Sequence, residues 1–449
     1  MKAHTITRRR FITAAASAAA FQIVPRRVLG GPGQTPPSGR LNIAGIGIGG
    51  MGAGDLGHFR DENIVALCDV DLNYAAGTIG QYPSAKVYQD YRVMLEQEKS
   101  LDAVVIATPD HTHAVIAAAA MRAGKHVYCQ KPLTHSIVEA RTLARIARET
   151  GVCTQMGIQH HSGEGIRLVR EWMEAGVIGD VREVTAWCTL TYEPAGHASW
   201  SPKWLRRPAA TPPVPETLDW DLWIGPAPMR PYHRAYHPRT WRAWWDFGCG
   251  MMGDRGVHTL DSVVWALGLG LPETIEAETS GLNEDTHPRS AKVTFQFAAR
   301  DARPPVRVTW YEGQEPPRPP ALEEGRPFVD REGGLLFFGS KETIMADYTC
   351  GSPRLIPEAR VKAFTDRPAR TLPRVPGGHY AEFIRACKGE GTTGADFAYG
   401  AHLTEICHLG NIAKRAGGRI AWDAAAMRVT NNDAANRWVE RPYREGWRL

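Results

Sequence analysis

A glycine-rich turn between an apolar strand and a helix constrains the fold of this 449-residue chain more than any other feature. Leu41-Asn42-Ile43-Ala44 runs into Gly45-Ile46-Gly47-Ile48-Gly49-Gly50-Met51-Gly52, with Gly47-x-Gly49-x-x-Gly52 as the preferred register. The first glycine of such a turn permits the tight bend, the second lets the backbone approach a pyrophosphate, and the third lets helix and strand pack closely. The following helix directs unpaired N–H groups at the anion. A second apolar strand ends in Cys68-Asp69, twenty residues past Gly49, where a carboxylate can accept hydrogen bonds from an adenosine ribose diol. That acid favours NAD over NADP, because a 2′-phosphate beside it would be repelled. Gly50 and Met51 belong to the same candidate cofactor loop. The plain alternative is a glycine-rich turn with a solvated Asp69, and it leaves the spacing to coincidence.

Strands and helices alternate through the first half of the chain. Strands are expected at Asn42–Ile48, Ile64–Cys68, Ala103–Ala107, His126–Cys129 and Val152–Met156, with helices at Gly52–Arg60, Leu72–Tyr82, His113–Arg122 and Ser136–Thr150. Ser136 with Glu139 fits a capping box, and Gly124 stops the helix begun near His113. Short apolar strands separated by helices imply a parallel sheet covered on both faces. Past residue 160 the pattern changes to a helix at Glu164–Ala175 and a strand at Val181–Leu190, followed by long loops over 191–253. Further strands are expected at Thr274–Glu278, Ala291–Ala298, Val306–Tyr311, Leu335–Gly339 and Glu342–Tyr348, with closing helices at His379–Lys388 and Ala398–Ala416. The expected organisation is a segment 1–30, a linker 31–40, a Rossmann domain 41–160 and a substrate and oligomerisation domain 161–449. The second domain reads as α+β with an open, predominantly antiparallel sheet.

Thr7-Arg8-Arg9-Arg10-Phe11-Ile12 followed by an alanine-rich apolar stretch reads as a twin-arginine export leader. The stretch is too short and small-residue-rich to make a convincing membrane span, and no later run reaches the roughly 18 apolar residues a span needs. Residues 1–30 carry Lys2, Arg8, Arg9, Arg10, Arg26 and Arg27 and no acid, so the formal charge of +5 becomes −1 without them. The basic excess therefore belongs to the leader. No zinc spacing, arginine stripe or aromatic RNA-binding pattern points to nucleic acid. Export in the folded state through the twin-arginine machinery to the periplasm is expected, with membrane attachment if the leader is retained. The 8 cysteines are dispersed and form no C-x-x-C.

Candidate chemistry lies in three places. Thr108-Pro109-Asp110-His111-Thr112-His113 follows a strand end, where Thr108, Pro109, His111 and His113 can face a cofactor. The next strand delivers Gln130-Lys131-Pro132; Lys131 can set positive charge beside a hydroxyl or nicotinamide, or can simply face solvent. Asp254, His258 and Asp261 fall at i, i+4 and i+7, on one face if helical. An acid beside His258 would fix its tautomer and make it an acceptor of an alcohol proton. Zinc binding and a merely capped helix are the competing readings, and no metal is expected.

Seven of the 14 tryptophans fall between 200 and 245. Their faces suit sugar C–H surfaces, although such rings also pack long loops. Substrate candidates are Gln159, His160, Tyr192, Trp200, Arg206, His237 and Trp245, together with Asp254 and His258.

These motifs together resemble the Gfo/Idh/MocA oxidoreductase family in its exported branch, over roughly residues 41–420. The likeness rests on Ile46–Gly52, Cys68-Asp69-Val70-Asp71, Ala107–His113, Gln130-Lys131-Pro132-Leu133, Trp245–Gly250 and Gly253-Asp254-x-Gly256-x-His258-x-x-Asp261. It implies that Lys131 is the active-site lysine, with Gln130 standing where the family usually has Glu. It also implies reversible hydride transfer between NAD and a secondary hydroxyl of a sugar or cyclitol, in a homodimer or homotetramer. In that implied mechanism His258 is the base, Asp254 supports His258, and Lys131 stabilises charge on oxygen. Export further suggests retained NAD, or a redox-neutral glycoside cleavage. A non-enzymatic sugar sensor or scaffold is the remaining alternative.

Overall fold

The computed structural model describes residues 39–191, 205–301, 303–328 and 332–449. The leader, most of the linker, Tyr192 and Trp200 lie outside the described residues.

The first domain builds from β1 (Asn42–Ile46), α1 (Met51–Gly57), β2 (Asn63–Cys68), α2 (Leu72–Gln81), β3 (Lys86–Tyr88), α3 (Tyr91–Gln97), β4 (Ala103–Ile106), α4 (His113–Arg122), β5 (His126–Gln130), α5 (Ile137–Thr150) and β6 (Thr154–Gly157). All its pairings are parallel, in the order β3-β2-β1-β4-β5-β6. The order reverses between β1 and β4, so the strand ends there open a crevice where such sheets bind dinucleotides. β4 is buried along its whole length because helices cover both faces of the sheet. The elements β3 and α3 were absent from the expected pattern: β3 is three residues long and mostly exposed, so it has no apolar run to read.

Local chemistry fixes the helix ends. Asp71 caps α2 by accepting from the Asn73 and Tyr74 N–H groups. Ser136 Oγ accepts from the Glu139 N–H at 3.3 Å, as a capping box requires. The Glu139 carboxylate, however, reaches back to the His135 N–H at 2.9 Å and not to that of Ser136.

The second domain adds α6 (Glu164–Glu174), β7 (Val181–Cys188), α7 (Trp220–Ile224), α8 (Val257–Leu267), β8 (Thr274–Ser280), β9 (Ser290–Phe297), β10 (Val306–Glu312), β11 (Gly333–Gly339), β12 (Thr343–Asp347) and β13 (Arg354–Ile356). It closes with α9 (Glu358–Ala363), α10 (Gly378–Cys387), α11 (Phe397–Ala416), β14 (Ile420–Asp423) and β15 (Arg428–Val429). The sheet runs β13-β12-β11-β7-β10-β9-β8-β14-β15, and among the described residues only β7 and β10 pair in parallel. β9 alternates: Ala291, Val293, Phe295 and Phe297 are buried while the residues between them face outward. Among the described residues no helix is long and apolar enough to cross a membrane.

The late helices return to the first domain. Phe383 of α10 joins the small core of Phe59 and Tyr128, and α11 packs on both α5 and β8. Lys414 of α11 is fully buried, and its Nζ donates to Glu312 Oε1 at 2.8 Å. The other Glu312 oxygen accepts from the Trp310 indole N–H at 3.0 Å. Removing one partner of such a pair leaves an uncompensated buried charge. Lys414→Met is therefore expected to cost about 3–5 kcal/mol, read as a lowered urea midpoint; a midpoint within error of the parent's would show the pair to be energetically idle.

Candidate active site

The crevice at the β1/β4 switch is a cavity of about 310 Å³, reached by both domains. Its floor is the glycine loop. Gly47 has a φ of +79°, which L side chains rarely adopt, and a Cβ there would lie 2.7 Å from the Thr108 nitrogen. A Cβ on Gly52 would stand 2.1 Å from the Gly47 carbonyl oxygen, so the third glycine allows α1 to pack against the turn. Gly49, Gly50 and Met51 line the cavity, and Met51 is 56% exposed.

Asp69 sits at the end of β2, its Oδ2 accepting from the Ile48 and Gly49 N–H groups at 2.8 and 3.0 Å and its Oδ1 from Asp71. Burial pushes its carboxyl up to about 6, against the pull of those three bonds. Thr108, Pro109 and His113 also line the cavity. Both His113 nitrogens lie on carbonyl oxygens, Pro132 at 2.9 Å and Thr108 at 2.8 Å, so the ring ties the β4 loop to the β5 loop. His111 corrects the expectation. It is fully buried, its nitrogens sit against the Trp223 and Phe247 carbonyls, burial drives its pKa down to about 3, and it does not face the cavity.

At the other end of the cavity Lys131 Nζ donates to Asp254 Oδ1 at 2.5 Å and to the Asp254 carbonyl at 2.9 Å. Burial alone would raise the Asp254 carboxyl; Lys131, then Arg242 and Arg255, hold it well below the usual carboxylate range. His258 lines the same end with its Nδ1 buried and unpartnered. Burial, then Lys131 and His160, push His258 well below its ordinary value, so the ring is neutral. The His160 ring lies edge-on to it at 5.6 Å but is itself exposed and off the cavity wall.

The backbone explains why the expected triad separates. Met252–Gly256 is a π-helical turn running into α8, and the wider turn breaks the 3.6-residue register between Asp254 and His258. Asp254 grips Lys131, where the sequence pattern had paired it with His258. Asp261 leaves the site altogether, accepting from the Tyr399 hydroxyl at 2.5 Å and lying 2.8 Å from His161 Nδ1. Among the described residues no cluster of three or more His, Cys, Asp or Glu could hold a metal.

The aromatic segment is mainly a cover that packs on itself. Trp220 and Trp223 stack at 4.6 Å, and Trp241, Trp244 and Phe247 complete the cluster; only Trp223 and Trp241 of these reach the cavity. Trp245 was expected on substrate. It packs on His287 with ring centroids 3.6 Å apart, donates to the Asn283 carbonyl and stays off the cavity. Arg206 is exposed and also away from it. His237 lines the cavity at the cofactor end, 2.8 Å from Asp71 Oδ2, and far from His258 in role. Gln159 does line the cavity, and its amide donates to the Tyr128 and Tyr380 hydroxyls.

Several wall residues gave no sequence signal: Tyr74, Asp90, Tyr91, Arg239, Arg255 and Trp447. Asp110 was inside a quoted motif yet unassigned; it accepts from the Cys249 N–H at 2.9 Å and locks the two domains together beneath the cavity. A loop whose glycines exclude any Cβ, an acid at the ribose position, and a neutral histidine with an orphaned nitrogen beside an anchored lysine fit a dinucleotide and a hydroxyl-bearing partner.

Comparisons agree with this geometry. Residues 41–158 match the Gfo/Idh/MocA oxidoreductase family's NAD-binding Rossmann fold, and residues 165–302 match its C-terminal alpha/beta domain. Inositol 2-dehydrogenase of Salmonella paratyphi B is 27% identical over 140 residues, which is 30% of this chain and 41% of that protein. The match thus spans about two fifths of that curated relative's length. Among solved structures, the WlbA dehydrogenase of Bordetella pertussis with NADH and UDP-GlcNAcA has a TM-score of 0.60 at 17% identity, covering 86% of this chain and 99% of its own. An inositol dehydrogenase homolog of Azotobacter vinelandii with NADH and myo-inositol has a TM-score of 0.59 at 17% identity, covering 85% and 98%. These structural likenesses are of fold.

Gln130 generates a test of its own. Its amide donates to Asp55 Oδ2 at 2.9 Å, while the Tyr380 hydroxyl donates to Oδ1 at 2.6 Å. Burial raises the Asp55 carboxyl. Gln130→Glu would set two carboxyls face to face. A carboxyl whose folded pKa lies above its unfolded value costs stability above that value and nothing below it. The variant is expected to lose about 1–3 kcal/mol near pH 8 and to approach the parent near pH 4 in urea unfolding; an equal penalty at both would contradict this.

Proposed function

Since this chain belongs to the Gfo/Idh/MocA oxidoreductase family, we propose that it oxidises a secondary hydroxyl of a sugar or sugar derivative with a retained NAD. Support for the substrate class comes from the polyol and sugar-nucleotide ligands named for its structural neighbours and from the inositol dehydrogenase relative. The observation that carries the reading is the placement of neutral His258 and the Lys131–Asp254 pair at one end of the Rossmann cavity.

When bound, NAD supplies the hydride-accepting nicotinamide ring; Asp69 fits its ribose diol and the Gly47–Gly52 loop its diphosphate. Everything else is done by the chain. His258, kept neutral, accepts the hydroxyl proton at a ring nitrogen. Lys131, pinned by two bonds to Asp254, has one N–H left to donate to the oxygen as negative charge grows on it. Because the lysine and the carboxylate are already oriented, the site reorganises little as that charge develops. His258 would return the proton to a ketone in the reverse direction.

Three finer statements accompany this. Export by the twin-arginine route rests on the Thr7–Ile12 motif. Homo-oligomer formation is what the family resemblance implies, and the outward face of β8, β9 and β10 is the open-sheet surface that such a contact would use. Redox-neutral glycoside cleavage is a second reading, favoured by the expected export and by the Trp223 and Trp241 rings on the cavity wall. There, transient oxidation of a ring hydroxyl acidifies the neighbouring C–H, elimination releases the aglycone, water adds, and the ketone is reduced again. In deuterated water this route leaves deuterium beside the anomeric carbon; cleavage without incorporation removes it.

The main reading is tested by His258→Gln, which should slow substrate-dependent nicotinamide reduction about 10²–10⁴-fold while nicotinamide content stays constant. An unchanged rate would take His258 out of the proton transfer. The raised Asp69 carboxyl sets a second expectation. Above about 6 it is ionised and accepts from the ribose diol; below that it is protonated and loses acceptor strength. Calorimetric NAD affinity should therefore weaken on acidification below pH 6, by up to about tenfold per unit, and Asp69→Asn should flatten that profile.

A further inference from the structure

The last described segment, Arg441–Leu449, crosses back to the Rossmann crevice and is fastened on both sides of it. The Tyr443 hydroxyl donates to Glu139 Oε1 on α5 at 2.6 Å, and Arg441 Nε donates to the same oxygen at 2.8 Å. Arg444 grips Asp221 of α7 at 2.6 Å and donates to the Gly225 carbonyl at 3.1 Å. Between these anchors and the cavity stands the half-buried Trp447 indole, forming wall with Val70, Asp90, Tyr91 and Ile116. This is the base side of the ribose acceptor Asp69. The Arg92 guanidinium lies 4.9 Å from the Trp447 ring centre, and Asp90 holds it at 2.7 Å.

A strap from the second domain closes the other edge. Leu72 N–H donates to the Thr217 carbonyl, Asp219 N–H donates to the Val70 carbonyl, and His237 Nε2 sits 2.8 Å from Asp71 Oδ2. His237 is nine-tenths buried and lines the cavity, and its Nδ1 is buried without a partner. Two residues on, Arg239 Nε donates to the Tyr74 hydroxyl at 3.3 Å. A Cβ on Gly50 would lie 3.0 Å from that same hydroxyl, so the Arg239 charge stands at the mouth of the glycine loop.

We infer that Trp447 and Arg239 retain the adenosine diphosphate half of a bound dinucleotide, the indole covering the purine and the guanidinium countering the diphosphate. The inference rests on the NAD reading above and deepens it. Neither residue belongs to the Rossmann fold, so the grip on the cofactor comes from chain that the glycine fingerprint does not contain. A purine face against an indole backed by a guanidinium is a stacking arrangement tolerant of exact register. Arg239 acts through charge and hence through ionic strength.

The test uses the full chain and reads binding, not turnover. NAD per chain is measured after gel filtration, and release is followed by chase with excess ADP-ribose, for the parent, Trp447→Ala, Trp447→Phe, Arg239→Ala and Arg239→Lys. Release should be about tenfold or more faster in Trp447→Ala, with most of the loss restored in Trp447→Phe. Arg239→Ala should also release faster, Arg239→Lys less so, and the Arg239 difference should shrink in high salt while the Trp447 difference persists. With adenosine, which carries no phosphate, as probe, only the Trp447→Ala affinity should fall markedly. If Trp447→Ala does not fold, Trp447→Leu, which also removes the aromatic face, carries the same comparison and the same expected result. Parent-like retention in folded Trp447→Ala and Arg239→Ala would overturn the inference and leave the NAD reading standing. A parent that neither carries nor binds NAD would overturn both.

Discussion

The ion pair between Lys131 and Asp254 is the contact on which the rest of the site depends. Lys131 leaves the end of β5 in the first domain, and Asp254 sits in the π turn before α8 in the second. Both side chains are largely buried, at 13% and 8% exposure, so each would be costly alone. The pair is supported by more than its own Coulomb energy: the Asp254 carbonyl takes a second Lys131 bond, and Arg242 lies 3.8 Å from the same carboxylate. That satisfied geometry fixes the π turn, and the π turn in turn fixes where α8 presents His258. Electrostatics and position thus arise together. The lysine that holds Asp254 ionised is also one of the charges that keep His258 neutral.

The same joining of domains governs the cofactor end. The glycine loop and Asp69 form a cradle in the first domain, but the walls over it come from the aromatic strap and from Arg441–Leu449. The tryptophans of the strap bury most of their faces in each other, which makes the cover stiff, and only its edge groups turn inward. Glu139 anchors this arrangement, capping α5 through His135 while taking Arg441 and Tyr443 from the far end of the chain.

Features whose cause is local were legible in the sequence. The Gly47–Gly52 turn, Asp69 at its strand end and the Ser136 cap are each written within a few residues. The short strands β3, β13, β14 and β15 were not legible, whereas β4 and β6, as short, stood out between the flanking helices of the alternating pattern. Helical periodicity named a face for Asp254, His258 and Asp261 but could not name partners. The π turn depends on packing that no heptad shows: a Cβ on Gly253 would lie 2.3 Å from the Cys249 Cβ, and one on Gly256 3.0 Å from the Met252 sulfur. His111 and Trp245 failed as ligand contacts for a related reason, since composition cannot distinguish a ring offered to a ligand from one offered to another ring. Trp447 stands against Arg92 only because the chain returns across the whole molecule.

The claim that Lys131 and Asp254 act as one unit is tested most directly by a double-mutant cycle on substrate-dependent nicotinamide reduction in a single turnover. Rates are compared for the parent, Lys131→Met, Asp254→Asn and the double variant. If the pair is one unit, each single change removes nearly as much rate as both together, and the losses are strongly non-additive. Losses that simply multiply would contradict the account, placing the lysine and the aspartate in separate roles.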